Sequence, residues 1–273
     1  MSVAEPVTFE RPPVNEVILS VQHDGPVIDE VGALADFWPT IREGFPGHQK
    51  QPPLPPVLED FSPPGLQAPG VVQFFTGPPQ DRYWFITDDE TRLIQVQPDR
   101  FAFNWRQVPG REAYPRYREL RPEFEERYRT FLDCLTVDAP RPTWCEITYI
   151  NHVEAQSGAD GLHGPLSRIL RGLNPEVTSP TLPPIEDTQL QQRFRILDTT
   201  GEPIGRFYLT AVPAFRAPDV VPIYVITLIA RGKPADTSLE AVLGFFDFGR
   251  DLIVNGFKES TTDEMHRLWG LET

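Results

Sequence analysis

Apolar residues recur along the chain at two periods, every second residue and every third or fourth, and each change of period marks a new element. Residues 1–13 are polar and broken by proline, and read as a loose leader. Val14–Gln22 (VNEVILSVQ) is rich in β-formers and predicts a first strand, ended by Gly25-Pro26. Ile28, Val31, Leu34, Ala35, Trp38 and Ile41 then follow helical spacing, and Gly44 and Pro46 close that helix. Residues 46–79 hold ten prolines, a density at which no regular element is expected. They predict an extended strap, with Leu54, Val57, Leu58 and Phe61 covering apolar surface. Three strands follow at Arg82–Thr87, Leu93–Gln97 and Arg100–Arg106, with turns at Asp88–Thr91 and Pro98-Asp99. In the last strand Phe101, Phe103 and Trp105 share one face, and Arg100, Asn104 and Arg106 fall on the other. A helix begins near Pro115 and carries Tyr117, Leu120, Phe124, Tyr128, Phe131, Leu132 and Leu135, with a kink or restart expected at Pro122.

The order then repeats. Glu146–Val153 predicts a strand, Leu162–Leu173 a short helix, and Pro175, Pro180, Pro183 and Pro184 another proline-rich stretch. Gln191–Leu197, Ile204–Val212 and Ile223–Arg231 predict three strands, with a turn at Asp198–Gly201. Thr237 with Glu240 forms a capping box for a long helix carrying Leu239, Val242, Leu243, Phe246, Leu252, Ile253 and Phe257. Thr261 with Glu264 opens a short terminal helix with Met265, Leu268 and Trp269. The expected fold is therefore α+β: two similar halves, each strand–helix–loop–three antiparallel strands–helix, with the helices packed on one sheet face. Residues 1–140 form the N-terminal half, with its proline-rich loop at 46–79, and residues 141–273 the C-terminal half. The shared order suggests an internal duplication, with a pseudo-twofold axis and a groove between the halves.

Composition narrows the function classes. The 273 residues carry 25 Lys+Arg against 39 Asp+Glu, a formal net charge of −14. The excess is spread, with 22 acids and 13 bases in residues 1–140 and 17 and 12 in the remainder. Such a chain repels phosphate backbones, so general nucleic-acid binding is not expected, whereas a basic protein partner is compatible with it. The two cysteines, Cys134 and Cys145, are too few for a disulfide framework and have no metal-ligand companions, so they read as reduced structural thiols. Met1–Pro13 lacks a basic start and an apolar core, so it is no signal peptide. The longest apolar run, Val220–Ala230, is shorter than the ~20 residues a bilayer takes. A cytoplasmic protein with no membrane contact is expected.

Several runs stand out: Pro12-Pro13-Val14-Asn15-Glu16-Val17; Leu93-Ile94-Gln95-Val96-Gln97 followed by Arg100-Phe101 and Asn104-Trp105-Arg106; Tyr114-Pro115-Arg116-Tyr117; and Tyr149-Ile150-Asn151. In these the chain resembles, over nearly its whole length, a sporadically distributed bacterial family of unknown function. That resemblance carries no activity, cofactor or catalytic residue with it. The scattered distribution implies a defence, toxin–antitoxin or mobile-element setting.

The chemistry-bearing patterns are few. Phosphate-binding loops, dinucleotide fingerprints, HExxH, CxxC and GxSxG are absent, so no catalytic residue, metal ligand or cofactor is assigned. Candidate recognition residues lie on the distinctive strands: Gln95, Gln97, Arg100, Asn104, Trp105 and Arg106, with Arg100 as an anion clamp. The structural alternative pairs these arginines with Glu119 and Glu123 and buries Trp105. His23 and His152 end equivalent strands and approach each other if those strands pair across the twofold; otherwise they make ordinary hydrogen bonds. Asp88, Asp89 and Glu90 read as a solvated turn rather than a cation site. Three functions follow: a non-enzymatic protein that binds a protein partner, such as an antitoxin or defence component; a small-molecule sensor with its ligand in the groove between the halves; and, with least support, an enzyme lacking a recognisable motif.

Overall fold

The computed structural model describes residues 7–25, 27, 32–61, 81–111, 113–135, 140–154, 163–173 and 186–272. Ile28, Val31, the end of the 46–79 loop, Leu162 and the prolines at 175–184 lie outside these residues. In chain order the elements are β1 (Thr8–Phe9), β2 (Val14–His23), α1 (Gly32–Ile41), β3 (Gly47–Gln51), β4 (Arg82–Ile86), β5 (Arg92–Gln97) and β6 (Arg100–Arg106). There follow α2 (Tyr117–Asp133), β7 (Pro142–Glu154), a 3₁₀ turn (Leu166–Arg168), β8 (Leu190–Leu197), β9 (Pro203–Arg216), β10 (Val221–Gly232), α3 (Leu239–Ser260), α4 (Asp263–Trp269) and β11 (Leu271–Glu272).

Alternation within the strands sets the architecture. One set of positions is apolar in every central strand: Val17, Leu19 and Val21; Phe101, Phe103 and Trp105; Cys145, Ile147 and Tyr149; Ile226, Leu228 and Ala230. All of these are buried, and together they make one side of a nine-stranded antiparallel sheet in the order β3-β4-β5-β6-β2-β7-β10-β9-β8. The helices cover this side. Phe37 of α1 packs edge-on against Phe85, Phe101 and Phe131, and Phe124 of α2 meets Phe246 of α3 at 4.9 Å. Burying each such aromatic contributes ~1.5–3 kcal/mol. The fold is α+β, with the helices on one sheet face.

The two halves meet as neighbouring strands of one sheet, β2 against β7. Outward from that seam the wiring is β2-β6-β5-β4 on one side and β7-β10-β9-β8 on the other: in each, the first strand, then the last, the middle and the first of the following three, with β3 beyond β4 on the first side. One apolar cluster includes residues of both halves. Close packing at the seam requires Gly249: a Cβ there would stand 2.6 Å from Cγ2 of Ile147, so glycine lets α3 sit down on β7.

Several local expectations are corrected. The leader is anchored from Val7 on: β1 pairs with β11, and Phe9 inserts among Phe257, His266 and Trp269. The proline-rich loop begins with a strand, β3, because Gly47–Gln51 precedes its densest prolines and finds an edge on β4. α2 runs unbroken through Pro122, held by the buried stripe of Leu120, Phe124, Tyr128 and Phe131. The short helix read over Leu162–Leu173 is, among the described residues, the three-residue 3₁₀ turn. The capping residues are Ser238 and Thr262, each one place beyond the threonine expected, with side chains accepting from the Ala241 and Met265 amides.

Candidate binding site

Antiparallel pairing carries most of the predicted recognition residues to the sheet face away from the helices. Gln22, Arg100 and Gln97 are cross-strand neighbours there, as are Ser20, Ala102 and Gln95, and, one pair further along, Ile18, Asn104 and Leu93. This face is closed by the strap. The carbonyl of Leu54 accepts from Gln97 and its amide donates to the same side chain; Pro55 accepts from Arg100; Val57 exchanges two hydrogen bonds with Gln22. Further along, Glu59 ion-pairs with Arg206 and Arg231 and accepts from the Tyr208 hydroxyl at 2.5 Å. Burial alone would raise the Glu59 pKa, but these three donors outweigh it and hold the carboxylate below its ordinary range. The strap is thus fastened by polar contacts, with Leu54 and Leu58 exposed and Val57 and Phe61 half-buried. Gln95 and Asn104 belong to a chain of hydrogen bonds from Arg82 through both to Glu16. Arg106, half-buried, donates to the Glu90 carbonyl at 2.7 Å.

Two predicted residues are core. Trp105 is 0% exposed on the helix side, against Tyr114. His23 is buried against Tyr128, with Nε2 2.8 Å from its hydroxyl. His23 and His152 do not meet. β2 and β7 pair antiparallel, so their C-terminal ends lie at opposite ends of the seam: His23 is opposite Pro142, and the His152 amide donates to Pro13. The pairing of predicted arginines with Glu119 and Glu123 is replaced by Arg92, whose Nε and Nη2 both donate to Glu123.

A cavity lies on the helix side, where the sequence assigns no candidate residue. It is a cleft of about 540 Å³ lined by residues from both halves: Val7–Phe9, Pro12, Val14, Tyr114 and Arg116–Arg118 from the first, and Tyr149, Asn151, Leu228, one side of α3 and Glu272 from the second. Alternation in β7 turns Tyr149 and Asn151 inward, while the turn before α2 brings in Tyr114, Arg116 and Tyr117. The Tyr114 and Tyr149 hydroxyls stand 3.0 Å apart. Burial pushes both phenols up, so at neutral pH each keeps its hydrogen. The pair uses one of those two hydrogens; the other is available to a ligand.

The rest of the cleft is braced. Arg116, held at a φ of 76°, donates to the carbonyls of Phe9 at 2.8 Å and Glu10 at 3.1 Å, which makes β1 a wall of the cleft. Asp247 accepts from Tyr117 at 2.7 Å and from Arg121 at 2.8 Å. Arg250 pairs with Asp251 at 2.8 Å. Among the described lining residues there is no histidine or cysteine.

The signal for this cleft was present in the sequence as the runs Pro12–Val14, Tyr114–Tyr117 and Tyr149–Asn151, which stood out as marks of resemblance without a role. Their convergence is a property of the sheet order. Among the described residues no group of three or more His, Cys, Asp or Glu is placed to hold a metal ion, and no helix is long and apolar enough to cross a membrane. No protein-family model matches the chain, and no curated protein matches it.

Proposed function

We propose that this is a small-molecule-binding protein whose ligand occupies the cleft between its two halves. The observation that carries this reading is the pairing of a 540 Å³ cleft with a buried hydroxyl pair at its floor. Ligand pockets commonly measure ~300–1,000 Å³ and combine apolar walls with a few convergent polar groups. Here Val14, Leu228, Ile253 and Phe257 supply the walls, and Tyr114 with Tyr149 supplies the donor. The fitting ligand is compact and mostly apolar, with one hydrogen-bond acceptor. Two of the cleft's carboxylates are already engaged: Asp247 accepts from Tyr117 and Arg121, and Glu272 accepts from the Thr8 hydroxyl at 2.5 Å. Matched wiring on the two sides of the seam supports an origin by duplication, and the two free thiols suit a reducing, cytoplasmic setting. A thermal-shift screen of metabolites tests the reading. A true ligand raises the melting temperature of the wild type and does so ~10-fold less potently in Tyr149→Phe, the cost of one hydrogen bond of ~1–1.5 kcal/mol. Equal potency in the variant, or silence across a broad panel, would count against it.

A second reading, binding of a protein partner such as a toxin or a defence component, draws on β8. It ends the sheet among the described residues, with Phe194 and Leu197 about half exposed. An extended partner segment could add to that edge. Co-purification of one partner at equal stoichiometry, lost in Phe194→Asp, supports this reading; retention of the partner by Phe194→Asp refutes the placement on β8.

A further inference from the structure

On the sheet face opposite the cleft, half-buried Arg82 and buried Arg100 make no ion pair among the described residues, whereas several other arginines do. Arg206 and Arg231 meet Glu59, Arg92 meets Glu123, and Arg121 meets Asp247. Arg82 on β4 and Arg100 on β6 flank Gln97 of β5, and their hydrogen-bond acceptors are neutral. Arg100, 8% exposed, donates from Nη2 to Oε1 of Gln22 at 2.8 Å and to the Pro55 carbonyl at 2.9 Å. Arg82 donates from Nη1 to Oε1 of Gln95 at 2.9 Å. The Nε of each is buried with no acceptor. Asp99, the carboxylate nearest in sequence to Arg100, accepts from Gln97 at 2.6 Å and bridges neither arginine.

A buried cation without a counter-charge is costly, and so is a buried donor without an acceptor. The donor cost falls on both side chains, and the charge of Arg100 is offset only in part, by Asp99 and Glu146, neither of which hydrogen-bonds to it. Burial lowers the pKa of each guanidinium, and Arg100 lowers that of Arg82 further. One ligand chemistry would relieve both costs together: an oxyanion, which brings negative charge and several acceptor oxygens.

We propose that Arg82 and Arg100 form a binding site for an oxyanion, a phosphate or carboxylate group accepting from their free Nε–H donors. The site is on the far side of the sheet from the cleft, so it stands or falls separately from the ligand reading above.

The test is the melting temperature of the full chain in sodium phosphate and in sodium acetate, each against sodium chloride at equal ionic strength and pH. The expected result is a saturable rise with one of the two oxyanions that chloride does not give. That rise is absent in Arg82→Gln and Arg100→Gln and retained in Arg193→Gln, an exposed arginine of the same sheet. A rise with phosphate alone identifies a phosphoryl ligand, and a rise with acetate alone a carboxylate. Identical melting temperatures in the three salts would overturn the proposal, as would a rise that survives undiminished in Arg82→Gln. Should Arg100→Gln fail to fold, Arg82→Gln, whose side chain is half-buried, still decides.

Discussion

At the scale of single residues, His23 shows how burial turns an ordinary side chain into a pH-dependent contribution to stability. Its ring stacks on Tyr128 at 5.9 Å between centroids, and burial pulls its pKa from 6.5 to about 4. The folded state holds the ring neutral, whereas the unfolded chain binds a proton near pH 6.5, so between these values the unfolded state carries more protons. The contribution is therefore complete above pH 6.5 and is lost as pH falls towards 4, by about 3 kcal/mol. Urea unfolding at a series of pH values should show this fall, and His23→Gln should retain only the part due to carboxylates; an equal fall in the variant would contradict it. His23 also marks a limit of sequence reading. That it ended a strand was legible, because strand alternation is local. That it lies under α2 was not, because Tyr128 is 105 residues away. The same holds for Gln95 and Gln97: their shared face was legible, but the strap that covers it is not written in their neighbours.

Among elements, the strands were read closely because a period of two fixes their faces, and RFAFNWR alone separates the Trp105 side from the Arg100 side. Helix ends were read less closely. Both caps were expected one residue early, since Thr237 and Ser238, and likewise Thr261 and Thr262, are adjacent candidates; the frame is settled by which stripe of α3 faces β7 and β10. Ser238 accepts from the Ala241 amide at 3.1 Å, so Ser238→Ala should cost about 1 kcal/mol in chemical denaturation and Thr237→Ala close to nothing. The reverse ranking would return the cap to Thr237. The β1–β11 ribbon escaped notice because each strand has two residues, too few for any period, and they pair across nearly the whole chain.

For the molecule as a whole, one sheet with two differently used faces organises everything else. The helix face holds the core and the cleft; the opposite face carries the polar side chains to which residues 54–59 are fastened. Glu59 is the clasp of that closure, joining the strap to β9 and β10. In Glu59→Ala, hydrogen exchange of the 52–61 segment should accelerate while β2 and β7 keep their protection, because the strap loses its ionic anchor and the sheet ladder is untouched. Unchanged exchange of that segment would mean that Gln22, Gln97 and Arg100 hold it unaided. The place of the cleft on the helix side is not legible in the sequence, because it follows from β2 and β7 pairing as neighbours in one sheet.

The central claim is that the cleft holds a small molecule, and native mass spectrometry of the protein purified gently from its host tests it most directly. The expected result is a single mass excess in the small-molecule range on the wild-type chain, absent from Ile253→Trp, in which a larger side chain fills the cleft. A bare wild-type mass, or an excess that Ile253→Trp retains in full, would contradict the assignment of the cleft as the ligand site.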